Sequence, residues 1–110
     1  MELYSQPFDS ILNGTKTIEL RLNDEKRKKI KIGDTIVFSK AVNPNEQIEA
    51  KVTNIYTFAS FDELYKSLPL DKCGYLPEEV PFASPHDMDK YYSKEKQLKY
   101  GVVGIEIKLL

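Results

Sequence analysis

At 110 residues, with 41% hydrophobic and 30% charged residues, the chain has the balance of a globular domain with its own core, not of a disordered segment. A formal net charge of −1 excludes a molecule that attracts nucleic acid by overall charge, so any such role has to rest on a local patch. No apolar run approaches a membrane span, the start lacks the basic-then-hydrophobic order of a signal peptide, and the lone Cys73 has no partner for an internal disulfide; a reducing, cytoplasmic setting is expected.

No internal repeat, low-complexity tract or linker divides the sequence, and residues 1–110 are read as a single domain. A short helix is expected over Pro7–Asn13. Proline suits a first-turn position, Phe8, Ile11 and Leu12 fall at i, i+3 and i+4, and Gly14 supplies a left-handed stop. A strand over Thr17–Leu22 follows, with Ile18, Leu20 and Leu22 on one face and Glu19 and Arg21 on the other. The charged segment Asn23–Lys31 leads to a turn at Gly33-Asp34, and Thr35–Ser39 reads as a strand from its branched and aromatic residues. Asn43-Pro44-Asn45 is the clearest hairpin-like breaker. Beyond it, Gln47–Phe58 keeps a period of two through Ile48, Ala50, Val52, Tyr56 and Phe58. Asn54 interrupts that face, so a bend or bulge is expected nearby.

Ser60-Phe61-Asp62-Glu63 is a capping box; the helix it starts buries Phe61, Leu64, Tyr65 and Leu68 and ends at Pro69. Pro69–Ser84, rich in proline, is expected to be ordered but irregular. Ser84-Pro85 repeats helix-start chemistry, and a third helix is predicted from Pro85 to about Tyr100, stopped by Gly101. Val102–Leu109 closes the chain as a strand with Val103, Ile105, Ile107 and Leu109 on one face and Glu106 and Lys108 on the other. Mostly antiparallel strands with about three short peripheral helices make an α+β domain. The pattern alone leaves open whether the strands close into a small barrel or form an open sheet.

The segment Gly14-Thr15-Lys16-Thr17-Ile18-Glu19-Leu20-Arg21 has the spacing G-x-K-x-x-E-x-R and sends three long charged side chains out from a helix-to-strand handover. One reading is a solvated strand face with a surface ion pair contributing about 0–1 kcal/mol. The other is a cleft in which Lys16 and Arg21 bind an anionic or carbonyl group while Glu19 orients Arg21 or exchanges protons. Four specified residues at fixed spacing favour the cleft.

Next to it, Lys26-Arg27-Lys28-Lys29-Ile30-Lys31 is flanked by Asp24, Glu25 and Asp34. Alternating charge favours a solvated surface; the alternative is a rim on which Lys28 and Lys29 contact phosphates. Tyr91, Tyr92 and Tyr100 interleave with Lys90, Lys94, Lys96 and Lys99, as in sites that stack bases and neutralise phosphates, although helical spacing alone would bury at least one tyrosine. Ser93 is either a polar lining group or a helix-surface serine. His86 stands without a Ser or Cys motif and is placed on the surface, and Cys73 is too isolated to carry a nucleophile's role. No P-loop, dinucleotide fingerprint or metal-ligand cluster is present, so neither cofactor nor metal is expected.

Gly14, Lys16, Glu19 and Arg21 match the signature of ASCH domains, a branch of the PUA-like superfamily, and the order of elements resembles a small stand-alone bacterial member over essentially the whole chain. The resemblance implies a PUA-type β-barrel with the signature bordering a cleft, and an RNA, nucleoside or nucleotide ligand bound without cofactor, metal or membrane. Taken with the basic run and the tyrosine–lysine segment, the expected binding site comprises Lys16, Thr17, Glu19, Arg21, Lys28, Lys29, Tyr92 and Ser93. Some family members resemble hydrolases, either amidohydrolases acting on N4-acetylcytidine or ribonucleases, in which Lys16 and Glu19 would be catalytic. The amidohydrolase branch carries a threonine where this chain has Glu19, and a distant glutamate for which Glu78, Glu79 and Glu95 are candidates. The departure at position 19 shifts the balance from deacylation toward binding. A small-molecule or protein-binding scaffold is the further alternative.

Overall fold

The computed structural model describes residues 1–110. In chain order it contains β1 (Glu2–Leu3), α1 (Ser5–Leu12), β2 (Ile18–Leu22), α2 (Glu25–Lys28), β3 (Thr35–Lys40), β4 (Asn43–Phe58), α3 (Phe61–Ser67), α4 (Lys94–Tyr100) and β5 (Val102–Leu109). Three 3-10 turns, Leu70–Lys72, Val80–Phe82 and Pro85–Lys90, lie between α3 and α4. The sheet order is β1-β3-β4-β5-β2, with β1 parallel to β3 and the other three pairings antiparallel.

This sheet curls into a half-barrel of PUA-like form. A closed barrel is not formed. The two edge strands, β1 and β2, face each other without a ladder between them, and β1 is only two residues long. Inside the curl, α1 contributes Phe8 and Ile11 to a core with Leu3, Ile36, Phe38, Ala50, Val52, Val103, Ile105 and Ile107. Outside it, Ile18, Leu20, Leu22 and Val102 pack against Phe61 and Leu64 of α3 and against Cys73. The expected alternation of β5 therefore holds on its inner face for Val103, Ile105 and Ile107, while Leu109 at the strand's end is exposed, and it fails on the outer face. Val102 and Gly104 are also buried, because β5 is a central strand covered on both sides.

Several expected elements change at their ends. The helix expected over Pro7–Asn13 begins earlier, at Ser5. Asp24 caps a helical turn within the charged segment by accepting a hydrogen bond from the Arg27 amide. Asn43-Pro44-Asn45 is not the hairpin breaker: the turn is Ala41–Val42, and Pro44 sits at the start of β4, where positions 44–46 have no partner in β3 and no ladder bond is lost. The irregularity expected near Asn54 is a register shift between Val52 and Asn54 against β5.

The helix predicted from Pro85 to Tyr100 is split. Ser93 is extended (φ −65°, ψ 151°), and its Oγ accepts from the Lys96 amide, starting α4 with a cap of its own. That break leaves Tyr91 and Tyr92 on a short connection instead of a helix face.

Candidate functional site

The seam between β1 and β2 is the cleft. A left-handed turn at Gly14 (φ +86°) ends α1 and swings the chain into β2. Glu19 and Arg21 sit opposite Ile105 and Val103 on β5 and so point to the inner face of the half-barrel. Glu19 is 3% exposed and Lys16 9%, which no solvated strand face would give.

One Glu19 oxygen accepts from Lys16 Nζ at 2.7 Å. The other accepts from Arg21 Nε at 3.1 Å and Nη2 at 3.0 Å. Burial pushes the Glu19 carboxyl up, but the two cations and their hydrogen bonds outweigh it and hold the group below its ordinary value. Arg21 Nη2 also donates to the Glu2 main-chain oxygen, at 3.1 Å, and so spans the seam. Two N–H donors on Lys16 and the two on Arg21 Nη1 make no hydrogen bond within the protein.

A cleft of about 750 Å³ opens over this floor. Its far wall is aromatic, with Tyr65, Tyr75, Tyr91 and Tyr92 beside Met88. The hydroxyls of Tyr65 and Tyr75 lie 2.8 Å apart, and Tyr75 donates to Asp87 Oδ2 at 2.7 Å, which also accepts from the Ser84 amide. The Tyr75 donor and the Ser84 amide together hold Asp87 below its ordinary value, while burial, and then the hydrogen bonds with Tyr65 and Asp87, push the Tyr75 hydroxyl up. The Tyr92 ring stacks on Phe61 with centroids 6.3 Å apart and planes 18° from parallel, which fixes it as a rigid plate. Gly74 (φ +112°) backs Lys16: a Cβ there would lie 3.5 Å from Lys16 Cδ.

Of the residues singled out from the sequence, Lys16, Glu19, Arg21 and Tyr92 meet in the cleft. Thr17 does not line it; its main chain donates to Lys72 and accepts from Ile107. Lys28 and Lys29 are exposed at the end of α2, outside the lining, and Ser93 is a helix cap. Among the candidate distant glutamates, Glu79 lines the cleft and Glu78 and Glu95 do not. Tyr65, Tyr75 and Asp87 were not singled out as site residues. Tyr65 carried only a core signal, and Tyr75 and Asp87 belong to 3-10 turns and loops that have no readable period. No group of three or more His, Cys, Asp or Glu side chains is placed to hold a metal ion, and no helix is long and apolar enough to cross a membrane.

Fold and cleft together define an α+β protein of PUA-like type with a charged, tyrosine-walled site at its open seam. The family model of the ASCH domain matches residues 1–110, and the chain belongs to that family. It is similar to the hypothetical protein PH0355, seen in a crystal structure, at 32% identity and a TM-score of 0.76, over 100% of this chain and 96% of that one. It is also similar to protein PF0455 from Pyrococcus furiosus, seen in solution by NMR, at 34% identity and a TM-score of 0.66, over 100% and 98% of the two chains. No curated protein matches the sequence.

Proposed function

We propose that the seam cleft binds a nucleotide unit of RNA, with the base against the tyrosine wall and a phosphate or base-edge oxygen on Lys16 and Arg21. The observation that carries this reading is the Lys16–Glu19–Arg21 triad. Glu19 holds two cations in place and leaves four of their N–H donors directed to whatever enters. RNA binding, the general description of the ASCH family, agrees with it. Lys26 to Lys31 add a rim for the flanking backbone.

The same geometry argues against proton transfer by Glu19, as hydrolysis of an acylated nucleoside or of RNA would require. Both oxygens are engaged by cations and the carboxylate is held ionised, so it is a weak base. The test is titration of a fluorescent single-stranded RNA with the protein and with the Lys16→Gln, Arg21→Gln double variant, checked for folding by circular dichroism. Loss of most binding in the folded variant is expected; unchanged affinity overturns the proposal.

A further inference from the structure

The ladder of β2 with β5 has a consequence for what the cleft can read. Ile107 N–H donates to Thr17 and Asn23 N–H donates to Gly101, so the odd positions of β2 are the hydrogen-bonded pairs of this antiparallel ladder. The main-chain N–H and C=O of Ile18, Leu20 and Leu22 therefore point the other way, into the seam. No side chain or other strand reaches those of Leu20, and of the three residues only Leu20 lines the cleft. On β2 the cleft thus meets a single main-chain donor–acceptor pair, flanked in sequence by Glu19 and Arg21. A peptide strand adding to this edge would need several such pairs in a row and would meet the Arg21–Glu2 bridge. One pair suits the edge of a planar heterocycle lying against the tyrosines.

We infer that the Leu20 main chain, with the free donors of Lys16 and Arg21, reads a nucleobase that carries a ring carbonyl (uracil, cytosine or guanine) and discriminates against adenine. This rests on the nucleotide-binding reading above. Each of the three bases offers an N–H to the Leu20 carbonyl, an acceptor to the Leu20 N–H, and an exocyclic oxygen that the cations favour; in guanine O6 serves as both acceptor and oxygen. Adenine satisfies the main-chain pair through its amino group and ring nitrogen but brings no oxygen to the cations, leaving their free N–H donors desolvated and without an acceptor.

The test compares fluorescein-labelled oligo(U), oligo(C) and oligo(A) of about eight nucleotides, a length that fills a single-strand site. Oligo(U) and oligo(C) are expected to bind about tenfold tighter than oligo(A). Stacking alone predicts the reverse order, since adenine has the larger ring. Leu20→Pro deletes the seam-facing N–H without removing a ladder bond and should weaken all three oligonucleotides alike, whereas Lys16→Gln should reduce the preference for oligo(U) and oligo(C) over oligo(A). If the proline variant fails to fold, amide exchange of the intact protein supplies the readout. The Leu20 N–H should exchange faster than those of Glu19 and Arg21 in the free protein and be slowed by oligo(U) at concentrations about tenfold lower than oligo(A) requires. Equal affinity for all three oligonucleotides with no protection at Leu20 overturns the inference and leaves RNA binding standing. Binding of none of them removes the proposed function itself.

Discussion

Arg21 Nη2 donates to the main-chain oxygen of Glu2 at 3.1 Å, tying together the two strands that a closed barrel would have paired by a ladder. The same guanidinium holds one oxygen of the buried Glu19 through two further hydrogen bonds. Arg21→Ala therefore removes the bridge across the seam and leaves Glu19 with Lys16 alone. A loss of about 2–3 kcal/mol is expected, toward the lower end for a broken buried pair because one cation remains. Glu19→Gln strands two cations in the wild type but only Lys16 in the Arg21→Ala background, so the double variant should lose less than the sum of the single variants, a coupling of about 1–2 kcal/mol. Urea unfolding of the wild type, both single variants and the double variant measures it. Strictly additive effects would show that the triad is not one unit.

Acid should act on the same carboxylate. Its folded pKa lies below the ordinary value of 4.5, so its contribution to stability is complete above that value. As pH falls below it, the unfolded chain takes up a proton that the folded one refuses, and stability drains away until the folded group protonates as well. Asp87, held low first by Tyr75, adds to this acid limb in the same direction. Urea midpoints followed from neutral pH downward should fall more steeply for the wild type than for Glu19→Gln, whose side chain does not titrate. Parallel curves would mean that Glu19 is not held ionised by its neighbours.

How far this site was legible in the sequence depends on how local each feature is. The alternation of β2, the Ser60 cap and the irregularity near Asn54 were readable because each is set by residues adjacent in the chain. The inward turn of Glu19 was not. Period-two reasoning separates two faces but cannot say that both are covered, and the inner one is covered only because the sheet curls over α1. β1 was missed for the same reason: two residues acquire a strand conformation solely from pairing with Ser39 and Lys40. Tyr75 and Asp87 reach the Lys16 cleft through irregular chain, where neither periodicity nor capping points to a partner. The signature named the floor of the cleft, and of its far wall only Tyr91 and Tyr92 stood out, through their interleaving with lysines.

The wall and the rim should separate in a binding experiment. Tyr92→Leu keeps an apolar filling against Phe61 but removes the plate on which a base would stack. It should weaken RNA binding about tenfold while leaving the dependence on salt unchanged. Replacing Lys28 and Lys29 with alanine should do the opposite, lowering the slope of log affinity against log salt by about one to two. If the tyrosine variant altered the slope and the lysine pair did not, the division of labour between wall and rim would be wrong.

Cys73 sits against the cleft beside the Lys16 stem, where a nearby cation would ordinarily favour a reactive thiolate. Burial dominates instead. The thiol is 6% exposed, its Sγ is 3.5 Å from the Pro69 main-chain oxygen as a donor, and its pKa is pushed up to about 12. At about pH 8, where an unperturbed thiol is already partly ionised, the folded protein should resist iodoacetamide and become labelled only as urea unfolds it. Mass spectrometry of the quenched reaction measures this directly. The labelled fraction should track the unfolded fraction through the transition, because the thiolate exists in quantity only once the seam has opened. Rapid alkylation in native buffer would mean that the Lys16 charge, not desolvation, governs the thiol, and Cys73 would then have to be counted among the reactive groups of the cleft.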